Sequence, residues 1–126
     1  MIDAPYVCSS PHVVDGDSLR CGKLRLRLLG IDAPERGPCP RHRGGTCAPG
    51  NGEASRRSLQ RAVWKGTVRY RVVSRDRFGR SIVMAWAGSE NLSCWQLRTG
   101  QATYKPRWDD GRHVARTCPA QAMLKR

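Results

Sequence analysis

Apolar and basic residues alternate along two segments of the chain, 24–28 and 68–72, where leucine, valine or tyrosine takes every second position and arginine lies between. An alternation with a period of two is typical of a β-strand that turns its apolar side chains to one face. Residues 82–86 are apolar and follow a polar turn at 75–80, so we expect them to pair with the second strand as a hairpin. A shorter apolar pair at 13–14 leads into a further turn.

Two other stretches have helical spacing. Apolar positions recur every three to four residues over 54–63, with Asn51 or Gly52 available as the cap and Gly66 as the stop. A second, short helix is predicted over 91–99, where the first asparagine supplies the cap and the glycine that follows ends the helix.

The tail from Tyr104 onward is mixed in composition, and Pro119 is expected to open a last short helix through Leu124. The order of elements is therefore strands, helix, strand pair, helix and tail helix. That order fits a mainly β, α+β fold, a small antiparallel barrel of the oligonucleotide-binding type with helices packed outside. A length of 126 residues is enough for one core, so residues 1–126 are expected to form a single domain.

The charge of the chain is strongly one-sided. Lysine and arginine number 23 against 10 aspartates and glutamates, which gives a formal net charge of +13 and a pI of about 10.6. A field of that sign favours nucleic acid or another anionic surface as the partner. No apolar stretch approaches the roughly 20 residues that span a bilayer, so no membrane association is expected. No obligate protein partner is evident, and we expect a monomer.

Six cysteines are a high and even number for this length and indicate disulfides. Cys8 and Cys21 flank a turn and could face each other across a hairpin. Cys39 and Cys47 bracket a loop rich in glycine, proline and arginine, and closing that loop would stabilise the fold by about 2.5 kcal/mol. Cys94 lies in a helical stretch, where a free, buried thiol is also credible.

An alternative for Cys39 and Cys47 is a zinc site with His42, although the segment lacks a Cys-x-x-Cys pair and a clear fourth ligand. Disulfides predict an oxidising compartment, the periplasm or the exterior. The first residues, Met1 to Pro5, lack the basic start and apolar middle of a signal peptide. We expect a secreted or periplasmic protein, with the cytoplasm as the alternative.

Four of the ten acidic residues lie close together in this basic chain: Asp15, Asp17, Asp32 and Glu35, with Arg27 between them. Carboxylates collected in this way suit a hard cation such as calcium or magnesium, which takes oxygen ligands. An EF-hand is excluded, because a loop that starts at Asp15 has arginine where glycine is required. In the alternative interpretation, Asp15 and Asp17 are turn formers while Asp32 and Glu35 pair with nearby arginines.

Three blocks of the sequence resemble the signature of the staphylococcal nuclease (thermonuclease) family. They are Val14-Asp15-Gly16-Asp17-Ser18, Arg27-Leu28-Leu29-Gly30-Ile31-Asp32-Ala33-Pro34-Glu35 and Asp76-Arg77-Phe78-Gly79-Arg80. Further matches lie at 53–55 and 100–102. Three blocks in the family's order and spacing are far more specific than any one of them, and the resemblance covers roughly residues 11–106.

The resemblance implies a five-stranded oligonucleotide-binding barrel with three helices. It also implies calcium-dependent hydrolysis of phosphodiester bonds in DNA, RNA or both, with little sequence specificity. The site residues carried over are Asp17, Asp32 and the Ala33 carbonyl for the metal, and Arg27, Glu35 and Arg80 for catalysis. Glu35 would orient or deprotonate the attacking water. Arg27 and Arg80 would bind the scissile phosphate, since arginine donates in a planar fork and keeps its proton.

Four residues are candidates for nucleic-acid binding: Phe78 in the third block, and Tyr104, Lys105 and Trp108 beyond it. Phe78 stands where relatives often carry tyrosine, so one hydroxyl contact to the substrate is expected to be missing. Tyr104 or Trp108 could stack on a base, which tolerates any sequence, and core packing is the equally weighted alternative for both. The segment 103–108 is shorter than its counterpart in the family.

A second hypothesis, from a different class, is a non-catalytic nucleic-acid-binding module. Degenerate domains of this kind typically lose the acidic or arginine positions. This chain retains five acidic and arginine positions of the family, namely Asp17, Arg27, Asp32, Glu35 and Arg80. Their presence favours an active enzyme. A third, weaker hypothesis is a disulfide-stapled secreted protein that binds anionic surfaces through charge alone.

Overall fold

The computed structural model describes residues 3–40, 43 and 46–122 of the chain. The strands are β1 (Tyr6–Cys8), β2 (Pro11–Asp15), β3 (Ser18–Cys21), β4 (Leu24–Leu28), β5 (Ile31–Asp32), β6 (Val68–Arg75), β7 (Ser81–Ala87), β8 (Glu90–Asn91) and β9 (Thr103–Tyr104). The helices are α1 (Gly52–Val63), α2 (Leu92–Arg98), α3 (His113–Thr117) and α4 (Pro119–Ala122). Short 3-10 turns at Pro106–Trp108 and Asp110–Arg112 connect β9 to α3.

The main sheet is mixed and curls into a half-barrel with the strand order β1-β6-β7-β4-β3-β2, and β8 pairs with β7. Among the described strands, β4 and β7 are the parallel neighbours, with Leu26 opposite Ser81. β5 and β9 form a separate antiparallel ladder in which Asp32 lies opposite Thr103. The predicted α+β class is confirmed. The expectation of purely antiparallel pairing is wrong, because the long connection through α1 and β6 brings β7 beside β4 in the same direction.

The core lies where the sheet packs against the helices. α1 contacts β2 and α2, and α2 contacts β7. The alternation in β4 buries Leu26 and Leu28, as predicted, whereas Leu24 is 50% exposed. Leu24 opens the strand beside the turn from β3, so the strand pattern alone overestimates its burial.

Both longer helices begin as predicted. The side chain of Asn51 accepts a hydrogen bond from Ala54 N at 2.9 Å, and α1 ends at Val63, before Gly66. The side chain of Asn91 caps α2 in the same way. The predicted tail helix begins at Pro119 and is described as far as Ala122, so Leu124 lies outside the described residues. Within the described range, no helix is both long and apolar enough to span a membrane.

Three disulfides join Cys8 to Cys21, Cys39 to Cys47 and Cys94 to Cys118. The first two are the pairs that the sequence favours. The alternative of a free thiol at Cys94 is wrong, because α2 packs against α4 and Cys118 directly precedes that helix. The bond between Cys39 and Cys47 also removes both sulfurs from the alternative zinc site, whose third member, His42, lies outside the described residues.

Candidate active site

The turn between β2 and β3 places Asp17 in the interior of the protein. Its Oδ2 accepts a hydrogen bond from Ala33 N at 2.9 Å, and its Oδ1 accepts one from Ser18 Oγ at 2.9 Å. Gly16 permits this close packing, since a Cβ at that position would lie 1.8 Å from Ser55 Oγ on α1. The turn is therefore pressed between α1 and the end of β5, which brings the first and second sequence blocks into contact.

Asp32 is the most deeply buried carboxylate of the group, with 1% of its side chain exposed. Its Oδ2 accepts a hydrogen bond from Arg43 Nη2 at 2.6 Å. Its Oδ1 lies 3.7 Å from Arg27 Nη2 and has no hydrogen-bond partner among the described residues. The same Arg27 nitrogen lies 3.4 Å from Asp17 Oδ2. Arg27 thus bridges two buried carboxylates that are fifteen positions apart in the sequence.

Glu35 lies close enough to Asp17 and Asp32 for their charges to act on it. Its pKa is raised above the usual value, first because the side chain is partly buried and then because the carboxylates of Asp17 and Asp15 lie nearby, while Arg43 opposes the shift. The start of α1 lies against the backbone of this residue, since a Cβ on Gly52 would come within 2.1 Å of the Glu35 carbonyl oxygen. The helix therefore fixes where the second block leaves β5.

Arg80 is positioned by the turn between β6 and β7. Asp76 Oδ1 accepts hydrogen bonds from the backbone N of Phe78 and of Arg80, at 3.0 and 2.9 Å. Asp76 Oδ2 accepts a third hydrogen bond from Arg80 Nε at 2.7 Å. Burial works to raise the pKa of Asp76, but the hydrogen bonds from Arg80 outweigh it and the pKa lies below the usual value. One carboxylate therefore shapes the turn and orients the arginine.

A cavity of about 470 Å³ lies beside the acidic group, and arginine is the most frequent residue of its lining. Its arginines are Arg27, Arg43, Arg75, Arg77, Arg80 and Arg107. The acidic residues of its lining are Asp76, which is paired with Arg80, and Asp110. Asp17, Asp32 and Glu35 do not line it, so Arg27 and Arg43 connect the cavity to the carboxylates. A cavity with this lining suits a polyanionic ligand.

Two aromatic rings lie at the rim of this cavity. Phe78 is 55% exposed and Trp108 is 39% exposed. Three cations approach the Trp108 ring, with Arg27 Cζ at 5.1 Å, Lys105 Nζ at 5.7 Å and Arg43 Cζ at 5.8 Å from its centroid. Both rings are thus accessible, and Trp108 also holds two of the cavity's arginines in place.

Tyr104 differs from Phe78 and Trp108 in its surroundings. Its hydroxyl donates a hydrogen bond to Asp109 Oδ2 at 2.7 Å, and Asp109 also accepts from the backbone N of Val114 and Ala115. Burial and the bond to Asp109 raise the pKa of Tyr104 to about 12. This residue does not line the cavity, and its hydroxyl ties β9 to the start of α3.

The structure thus brings Asp17, Arg27, Asp32, Ala33 and Glu35 together and places Arg80 on the cavity that Arg27 lines. Sequence reasoning missed Arg43, although the loop between two paired cysteines directly after the second block was a signal. Within the described range, no group of three or more His, Cys, Asp or Glu side chains is arranged to hold a metal ion. The predicted ligand set contains two such side chains and a backbone carbonyl, so this absence does not bear on it.

Comparison with known proteins supplies the family. The model of the family described as staphylococcal nuclease homologue matches residues 25–122, most of the chain, and the block that contains Asp17 precedes the matched segment. An uncharacterized endonuclease of Haemophilus influenzae is 26% identical over 100 residues, which cover 75% of this chain and 50% of that protein. The chain spans about half the length of this curated relative. From the match over residues 25–122, we conclude that the chain belongs to the staphylococcal nuclease homologue family.

Proposed function

We propose that this chain is a calcium-dependent nuclease that hydrolyses phosphodiester bonds in DNA, RNA or both with little sequence preference. One observation carries the proposal: Arg27, which lines an arginine-rich cavity, bridges the buried carboxylates of Asp17 and Asp32. Membership of the nuclease family and the relative described as an endonuclease support it.

The carboxylates fit a hard cation. Asp32 Oδ1 is buried and lacks a hydrogen-bond partner among the described residues, which is costly unless a ligand satisfies it. The raised pKa of Glu35 reflects a local excess of carboxylate charge that a cation would relieve. Asp17, Asp32 and the Ala33 carbonyl would hold calcium through oxygen alone. When bound, the ion supplies positive charge close to the reacting phosphate.

The arginines have the chemistry that phosphodiester hydrolysis needs. The phosphorus centre gains negative charge in the transition state, and fixed guanidinium groups stabilise it. Arg27 donates to the Ile31 carbonyl oxygen at 3.2 Å, and Arg80 is held by Asp76. Both side chains are therefore oriented before the substrate arrives. Glu35 would hold or deprotonate the attacking water, a step that typically contributes about 10²–10⁴-fold.

Binding of the strand would be directed at its backbone. The net charge of +13 and the arginine lining attract phosphates, and affinity is expected to fall with salt. Phe78 and Trp108 would stack on bases without selecting a sequence, with Lys105 beside the second ring. In this proposal residues 1–126 act as one monomeric domain, in a compartment that keeps three disulfides oxidised.

A non-catalytic nucleic-acid-binding module is the second candidate. The observation that favours it is the pairing of Asp32 with both Arg27 and Arg43, which already balances the charge of this carboxylate. In that case the arginines would serve binding alone.

Digestion of labelled single- and double-stranded DNA and RNA distinguishes the two candidates. We expect cleavage with calcium, loss of cleavage with a chelator, and a Tm that rises on calcium addition to the wild-type protein but not to Asp32→Asn. Glu35→Gln should bind the strands without cutting them. Glu90→Gln is the matched control, because Glu90 lies in an exposed ion pair with Arg98 on α2.

Cleavage that survives the chelator would contradict the metal role. Binding by the wild-type protein without cleavage under calcium or any other divalent metal would favour the binding module. Wild-type cleavage rates in Glu35→Gln would remove Glu35 from the mechanism.

A further inference from the structure

We propose that Arg43 is a third phosphate-binding arginine of this site, presented by the loop that the Cys39–Cys47 disulfide closes. The inference deepens the proposed function and rests on it. Arg27 and Arg80 lie in the sequence blocks that resemble the family, whereas Arg43 lies outside all three. Its assignment comes from its place in the structure alone.

The backbone of Arg43 is anchored on both sides. Its N donates to the Pro40 carbonyl oxygen at 3.0 Å, and its own carbonyl oxygen accepts from Thr46 N at 2.9 Å. The disulfide holds the Cα atoms of Cys39 and Cys47 5.9 Å apart. These contacts hold Arg43 beside Asp32, at the end of β5.

The side chain reaches the same place as Arg27. Arg43 Nη2 lies 2.6 Å from Asp32 Oδ2, while Arg27 Nη2 approaches the other oxygen of that carboxylate. Both guanidinium groups also lie within 6 Å of the Trp108 centroid. Both arginines also line the arginine-rich cavity, so one anion in that cavity can contact both guanidinium groups. A phosphate group is an anion of this kind.

Arg43 has hydrogen-bonding capacity to spare. Its side-chain hydrogen bonds to described residues, Asp32 and the Thr46 carbonyl oxygen, both use Nη2. A guanidinium carries five N–H donors, and the hydrogen bonds that join Arg43 to described residues do not use those on Nη1 and Nε. The side chain also lines the arginine-rich cavity itself. A phosphate there can therefore accept a hydrogen bond from Nη1 or Nε of Arg43 while Asp32 keeps the guanidinium oriented.

The test measures binding without cleavage. Affinity for a fluorescent single-stranded DNA 12-mer is followed by anisotropy across a series of salt concentrations, in the presence of a chelator. Arg43→Ala is expected to weaken binding about 10- to 100-fold, and to reduce the slope of log K against log salt by about 0.7. Arg43→Lys should lie between this variant and the wild type, because it retains the charge without the fork. Arg98→Ala, which removes an exposed arginine from an ion pair on α2, is the matched control.

A double-mutant cycle separates contact with phosphate from an effect through Asp32. In an Asp32→Asn background, Arg43→Ala should still weaken binding and reduce the salt slope. The inference is overturned if Arg43→Ala behaves like Arg98→Ala, if its effect disappears in the Asp32→Asn background, or if the wild-type protein does not bind the 12-mer. A wild-type protein that binds with the expected slope but never cleaves contradicts the nuclease proposal and leaves Arg43 as a phosphate ligand.

Discussion

Asp76 and Arg80 are joined by two hydrogen bonds that serve different purposes. Asp76 Oδ1 accepts from the backbone N of Arg80 and closes the turn, while Oδ2 accepts from Nε of the same residue and aims its guanidinium at the cavity. A single substitution at Asp76 therefore affects the turn and the phosphate-binding arginine together.

We expect Asp76→Asn to lower the free energy of unfolding at pH 7 by about 1–2 kcal/mol, because charge-assisted hydrogen bonds become neutral ones. The folded-state pKa of Asp76 lies below its unfolded value, since hydrogen bonds from Arg80 outweigh the effect of burial. Its stabilisation is therefore complete above the unfolded pKa of about 3.9 and is lost as the pH falls through the folded pKa. Urea unfolding of both proteins across this range should show the difference shrinking in acid. A difference that grows in acid would contradict the assignment.

Gly16→Ala is expected to destabilise the protein by about 1–3 kcal/mol, because the new Cβ would collide with Ser55 Oγ. The double variant Gly16→Ala/Ser55→Ala should recover only part of the loss, since the Ala33 Cβ also lies within 2.9 Å. Chemical denaturation measures both. Gly37→Ala is the matched control, because a Cβ there meets nothing within 4 Å, and it should leave stability nearly unchanged. Equal effects of the two alanines would refute the close packing of the turn on α1.

Replacing both Cys39 and Cys47 by serine is expected to cost about 2.5 kcal/mol of stability in the chain-entropy model and to weaken oligonucleotide binding as Arg43→Ala does. The Cys94–Cys118 disulfide closes a longer loop, with a sequence separation of 24 residues. Replacing both of these cysteines by serine should cost about 3.5 kcal/mol of stability and leave binding of the folded protein intact. Denaturation and anisotropy together provide the comparison. Equal binding by the two double variants would contradict the role of the first loop in presenting the arginine.

Tyr104→Phe tests whether this ring serves binding or structure. Loss of the hydrogen bond to Asp109 should lower the free energy of unfolding by about 1–2 kcal/mol, while binding of single-stranded DNA stays unchanged. The folded pKa of about 12 lies above the unfolded value, so this stabilisation is present below about pH 10 and is lost as the pH rises through 12. The difference between the ultraviolet titrations of the wild type and the variant should reveal the Tyr104 hydroxyl, with a pKa of about 12. Weaker DNA binding by Tyr104→Phe would instead favour a direct contact between the hydroxyl and the substrate.

The strands and helices were accessible from the sequence where local pattern decides them. The alternation in β4 and β6, the asparagine caps of α1 and α2, and the turn at Asp76 all depend on residues close together in the chain. The same pattern overestimated the burial of Leu24, because burial depends on which helix covers a face and not on the alternation alone.

The site was accessible in part. The blocks around Asp17, Asp32 and Arg80 could be named as one candidate site, and the structure places the first two within reach of the same Arg27 nitrogen. Tyr104 could not be separated from Trp108, because both are aromatic residues of one short segment. Their surroundings distinguish them, because Tyr104 is hydrogen-bonded to Asp109 whereas Trp108 lines the cavity.

The local elements and the acidic blocks could be predicted from neighbouring residues, and the basic charge from the composition. The tertiary structure alone decided that β7 runs parallel to β4, that Cys94 bonds to Cys118, and that Arg43 enters the site beside Asp32. These relations join segments far apart in the chain. They follow from how all the elements pack around one core at once, and no local pattern records that packing.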